Sequence, residues 1–228
     1  MAEKESTLFR DRKKALIAAG VFYLVLLGIW AALEIFAMPL MQKSFSDRML
    51  EIIKEFALKL PIWFFPAFIL SRRFDSDMYA NKKEIFSVKK KHLLYLLIIV
   101  PFLLFHAVSS IRTNGTITIN SSFSALDIVI ALSVGLCEEM VFRGFLLNTT
   151  LRENKNNAAA IIINAVLFVL IHFPVWYRTG TLVNNLQSGA FIQVLVLSII
   201  FSYVFMKTKS IVMPAALHMY WDVLCFMQ

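Results

Sequence analysis

Apolar residues fall into seven blocks along the chain, separated by short polar or charged stretches. The blocks are Ala15–Met41, Phe56–Leu70, Leu93–Val108, Phe123–Leu147, Ala158–Phe173, Ala190–Met206 and Ile211–Met227. Several approach the ~20 residues a helix needs to cross the hydrocarbon core of a bilayer. The second and third are shorter, and an amphipathic stretch from Asp47 leads into the second. Strict apolar–polar alternation, the mark of a membrane β-barrel strand, does not recur. The pattern therefore predicts an all-α, polytopic transmembrane helical bundle of about seven spans, within a range of six to eight.

Composition agrees. The chain is 59% hydrophobic and 17% charged. A soluble domain is nearer 45–50% apolar and about 25% charged. Charge then fixes an orientation. With the N-terminus in the cytoplasm, the inner segments hold 16 Lys/Arg and the outer side six, Lys59 at the edge of the second block being counted there, and Arg143 inside a span completes the 23. Cytoplasmic loops carry such an excess, so the expectation is an integral membrane protein with its N-terminus inside. The same distribution explains the net charge of +8 without nucleic acid, which is excluded as a partner. Arg10, Arg12, Lys13 and Lys14 precede a first block too long for a signal-peptide core, which reads as a retained helix. Lys82, Lys83, Lys89, Lys90 and Lys91 form a basic cluster suited to anionic lipid headgroups. Residues 111–122 form a polar outer loop with a turn at Asn114-Gly115. Cys137 and Cys225 lie in apolar segments and imply no disulfide framework.

The ionisable residues inside the blocks divide the chain in two. Residues 1–122 read as transmembrane helices that carry topology; residues 123–228 carry the candidate chemistry. A carboxylate at bilayer depth costs about 2.5–3.5 kcal/mol on insertion scales, yet Glu138 and Glu139 sit side by side there. Glu139 and Arg143 are four residues apart and share a helix face, so they can form a neutralising buried pair. Glu138 is turned about 100° away and can face a different cavity as the reactive carboxylate. His218 and Asp222 are also four apart, and Asp222 could orient the imidazole. His172 lies near the far end of the fifth block. At ~1.5 Å per residue, Glu138, His172, His218 and Asp222 fall at roughly the same membrane depth.

Three chemistries use such a cluster. One is hydrolysis by carboxylate- and histidine-activated water, with an oxyanion stabilised by a second histidine. Another is metal-assisted hydrolysis, with Glu138, His172 and His218 as possible zinc ligands, although no HExxH is present. The third is a proton or ion relay in a transporter. Cys137 reads as a small buried residue rather than a nucleophile. Glu34, His106 and Asp127 read as interfacial or interhelical groups, and Trp63, Trp176 and Tyr177 as interface aromatics.

In chain order the motifs are Glu138-Glu139-x-x-x-Arg143, Phe168-x-x-x-His172 and His218-x-x-x-Asp222. This ordered set resembles the CAAX-protease and bacteriocin-processing (CPBP, abortive-infection) family of intramembrane peptidases. The resemblance spans about Asp127 to Gln228. It implies a membrane endopeptidase with a membrane-embedded active site and a peptide or membrane-protein substrate. It gives water activation to Glu138 and His172, and oxyanion stabilisation, or metal ligation, to His218 and Asp222. Glu139, Arg143 and Phe168 would support them. No cofactor is certain on this reading, and zinc is possible. Asp222 stands where prenyl-protein proteases usually carry Asn. An ionised Asp only accepts hydrogen bonds, so it is protonated, orients His218 or ligates a metal. The small size resembles bacterial members, which implies a bacterial cell membrane and peptide or signal-peptide processing or bacteriocin self-immunity. Cleavage would fall near the cytoplasmic side. A catalytically silent immunity or binding protein, or a proton-coupled transporter, are the alternatives.

Overall fold

The computed structural model describes the backbone of residues 2–153 and 155–228, and side chains from Arg12 onward. Arg10 of the basic N-terminal cluster lies outside the described side chains. Among the described residues the chain forms helices joined by turns and short segments, and no strand. The helices are α1 (Ala2–Met41), α2 (Asp47–Arg73), α3 (Lys90–Asn114), α4 (Ala125–Thr150), α5 (Ala158–Arg178), α6 (Leu182–Gln187), α7 (Ala190–Thr208) and α8 (Val212–Phe226). All but the short α6 coincide with the seven apolar blocks.

Four helices, α1, α3, α5 and α7, are long and apolar enough to cross a membrane by length and composition. Their burial is one-sided although their sequences are apolar all round. On α1 the stripe Ala15, Ala19, Tyr23, Leu26, Trp30 and Met38 is buried, while Val21, Leu24 and Phe36 are exposed. Such an apolar outer surface is what a bilayer covers and water does not. The helices outside this group fail for two reasons. α2 and α4 carry the ionisable residues of the bundle interior, and α8 is short.

α4 is the axis. Every residue from Cys137 to Thr149 is buried, as expected of a helix surrounded on all sides. Wide π-type turns interrupt α1 at Leu33–Ala37, α2 at Ile53–Leu58 and Leu60–Phe64, and α4 at Met140–Leu147. These turns hold or adjoin the buried Glu34, Glu55, Lys59, Glu139 and Arg143. π-type turns recur at functional sites because they re-aim side chains.

α4 and α8 pack tightly because position 135 is glycine. A Cβ there would lie 3.0 Å from the Ala215 carbonyl oxygen and 3.1 Å from the Met219 nitrogen. At one end of the bundle, the segment between α2 and α3 is stitched across α4. Asn148 accepts from the Ala80 N–H at 2.7 Å and donates to the Ala80 carbonyl at 2.9 Å. The Tyr79 N–H donates to the Asn148 carbonyl, and Ile211 N–H to that of Ile85. α3 ends where the sequence places its turn, with Gly115 in the left-handed region at φ 75°.

Gly135→Val should destabilise the protein by about 1–3 kcal/mol, the usual range for overpacking. Gly20→Val, where an added Cβ meets nothing within 4 Å, should stay near wild type. Thermal unfolding of the two variants in detergent compares them directly.

Candidate active site

The site starts from a break in α5. Pro174 has no N–H and its ring crowds the preceding turn, so the helix yields at Ile171 and His172 and restarts at Phe173. The His172 N–H therefore bonds to the Val169 carbonyl, three residues back. That leaves the Phe168 carbonyl without its helical donor, and His172 Nδ1 lies 2.7 Å from it. A carbonyl only accepts, so Nδ1 carries the hydrogen and Nε2 keeps a free lone pair.

α4 supplies two carboxylates with separate duties. Glu139 Oε1 accepts from Arg143 Nη1 at 2.9 Å and from His218 Nδ1 at 3.0 Å. Arg143 Nη2 donates to Ser198 on α7, to its carbonyl at 2.8 Å and its hydroxyl at 2.7 Å. The Phe168 and Phe201 rings lie 4.8 and 5.6 Å from the guanidinium. Glu139 and Arg143 are fully buried, and this cluster ties α4 to α5, α7 and α8. Glu138, one residue earlier, points elsewhere. Its Oε1 accepts from Lys59 Nζ at 2.7 Å, and its Oε2 is buried without a hydrogen-bond partner. His218 Nε2 lies 3.8 Å from that Oε2 and 3.7 Å from Asp222 Oδ2, beyond direct hydrogen bonding.

Glu138, His172 and Asp222 line one cavity of about 220 Å³ between α1, α2, α4, α5 and α8. His218 stands behind it, against Glu138. The four proposed reactive side chains thus converge, with Phe168 packed on both histidines at ring distances of 5.0 and 5.9 Å. Glu139, rather than Asp222, orients the His218 ring.

Two residues at the floor escaped the sequence reading. Lys59 is buried on α2, bonded to Glu138 and, at 3.0 Å, to Glu55. Its ammonium also lies 5.1 Å from the Trp63 ring and 5.9 Å from that of Trp30. Lys59 lies inside the second apolar block, so counting it among the outer charges hides it. The signal was Glu55 four residues before it, a pair on one helix face. Trp63 is a correction: it is 1% exposed and walls the site instead of anchoring at the interface. The first 122 residues thus contribute to the cavity as well as to topology. Glu34 and Asp127 are interhelical, paired with Arg178 and Arg48. Cys137 is fully buried.

A metal does not fit the expected donor set. An ammonium already occupies one oxygen of Glu138 and would repel a divalent cation. No group of three His, Cys, Asp or Glu residues among those described is gathered closely enough to hold an ion.

Residues 120–224 match the model of the type II CAAX prenyl endopeptidase Rce1-like family. The matched region, just under half of the chain, is similar to that family. No curated protein and no solved structure gives a match. All three motifs fall inside the Rce1-like region, whereas Lys59 and Glu55 lie outside it. The family is one of membrane-bound proteases, so a peptide or protein substrate follows at that level.

Arg143→Leu should destabilise the protein by about 3–5 kcal/mol, because it strands Glu139 in the interior. The double variant Glu139→Leu/Arg143→Leu should recover part of that loss. Unfolding midpoints of the single and double variants in detergent give the coupling.

Proposed function

We propose that this protein is an intramembrane endopeptidase in which Glu138 and His172 activate a water molecule. The observation that carries the reading is that Glu138 and His172 each keep an unused acceptor in one cavity, beside the equally unpartnered Oδ2 of Asp222. Glu138 Oε2 has no partner, and the ring of His172 is turned so that Nε2 is free. Both residues line a space far larger than the ~10–15 Å³ one water needs on this measure.

In the proposed reaction, water gives its proton to the Glu138–His172 couple as its oxygen bonds to the peptide carbonyl carbon. The carbonyl becomes an oxyanion within reach of His218 Nε2, which donates when that ring is doubly protonated. The C–N bond then breaks, and the proton passes from the couple to the leaving nitrogen. Lys59 positions Glu138: it fixes one oxygen and leaves the other toward the cavity. Arg143 and Glu139 hold the His218 ring. No step passes through a metal. The substrate is a membrane-associated peptide or protein. Peptide, signal-peptide or bacteriocin processing, or self-immunity, is the setting this reading favours over a prenylated C-terminus.

The test is cleavage of a membrane-peptide pool by purified protein, read by mass spectrometry. Glu138→Gln and His172→Ala should each lower the rate by about 10²–10⁴-fold, the usual worth of a general base. Chelator should leave wild-type cleavage unchanged. Identical cleavage by wild type and both variants would sink the assignment, and loss on chelation would sink the metal-free route. A folded wild type without cleavage, together with full biological function of Glu138→Gln, would make the chain a binding protein.

Lys59→Met should lower kcat by roughly 10–100-fold, the range for groups that orient a working side chain, with little change in KM. Lys59→Arg, which keeps a cation at Glu138, should retain more of kcat. Equal losses of both kcat and stability in the two variants would reduce Lys59 to a packing role.

A further inference from the structure

The cavity has a direction. Its floor is the Lys59–Glu138 pair, whose side chains are 5% and 8% exposed. Along α2 toward its N-terminus the lining passes Glu55 and reaches Lys54 at 20% and Glu51 at 29%. The rest of the rim comes from the same end of the bundle. Glu34 lies near the end of α1, Ile130 near the start of α4, Val175 near the end of α5 and Phe226 at the end of α8. Two neighbouring hollows at this end share Arg48 and Glu51, so the mouth continues into a polar vestibule. The opposite end is shut. Below the floor α4 is buried through Thr149, and the α2–α3 segment is pinned across it by Asn148.

The two ends differ sharply in charge. The shut end carries the N-terminal stretch, the α2–α3 segment and the α4–α5 and α7–α8 turns, which together hold 16 of the 23 Lys/Arg. The mouth end has Lys43, Arg48, Lys54, Arg112 and Arg178. Lys/Arg excess in short connections marks the cytoplasmic side.

We infer that the cavity opens away from the cytoplasm, and that the substrate is an extracytoplasmic polypeptide. It is a peptide, or the outer segment of a membrane protein, that enters through the vestibule above Glu51 and Lys54. This rests on the peptidase reading for the cleavage step, and it reverses the expectation of cleavage near the cytoplasmic side. The reason for the reversal is that helix depth alone gives no direction of access. The side-chain seal below Glu138 does.

Two measurements test it. In a Cys225→Ser background, Ser122→Cys marks the mouth end and Lys155→Cys the shut end; both native side chains are exposed, and Cys137 is fully buried. A membrane-impermeant maleimide should label Ser122→Cys in intact cells and Lys155→Cys only after permeabilisation. A charged peptide that the detergent-solubilised protein cleaves should then be cleaved by right-side-out vesicles and spared by sealed inside-out ones. The reverse labelling, or cleavage by inside-out vesicles alone, overturns the inference and leaves the peptidase reading intact. No cleavage in detergent, with labelling as expected, overturns the peptidase reading and the substrate assignment with it. The side on which the cavity opens then stands.

Discussion

The bundle is organised around one buried carboxylate. Glu139 has no exposed surface, and its Oε1 accepts from two cationic or potentially cationic groups on α4 and α8. Arg143 extends the linkage to the Ser198 backbone on α7 and lies against the Phe168 ring of α5. Four helices therefore meet at a single charge-neutral knot. A carboxylate or guanidinium alone at this depth would cost several kcal/mol, so each group requires the other. The knot fixes the His218 ring through Nδ1, and with it the placement of Nε2 behind Glu138.

Adjacent glutamates on one helix cannot serve the same knot. The ~100° turn between neighbours sends Glu138 to the α2 side, where a second neutral pair awaits it. Lys59 occupies one oxygen there and is itself shared with Glu55. Glu138 and Glu139 are each partnered on one oxygen only, and of the two it is Glu138 that lines the cavity. The reactive atom on this reading is the one that the pairing leaves over. On that reading stability and reactivity come from the same arrangement: the ammonium makes a buried Glu138 tolerable and also fixes which oxygen is left toward the cavity.

The parts of this fold that the sequence reveals are those governed by short-range periodicity. Seven apolar blocks become seven helices because their boundaries depend on local hydrophobicity and turns such as Asn114-Gly115. The Glu139–Arg143 pair is legible because both partners lie one turn apart on one helix. Lys59–Glu138 is not legible in this way, since its partners are 79 residues apart and on different helices. A single lysine near the edge of an apolar block looks like a loop charge until α2 is docked on α4. Trp63 misleads for the same reason. Its amphipathic ring fits an interface in isolation, and a wall of the cavity once Lys59 is beneath it. The identity of the group that orients His218 was likewise hidden, because Asp222 on the same helix is the nearer partner in sequence and Glu139 the nearer one in space.

Asp222 now has a narrower set of duties. It does not hold the His218 ring, since Glu139 already does so through Nδ1. Its Oδ2 is buried without a partner, 3.7 Å from His218 Nε2, on the same side as the free oxygen of Glu138 at 3.8 Å. Distances just beyond hydrogen bonding around a polar gap are those that one bridging oxygen closes. An ionised aspartate would repel an oxyanion in that gap, whereas an asparagine would donate to it. In this chain the gap is bordered by one ring nitrogen and two carboxyl oxygens. On the proposed reading, that arrangement suits a water, or the N–H of a leaving amine, beside the carboxyl groups and leaves the oxyanion to the side of His218 Nε2.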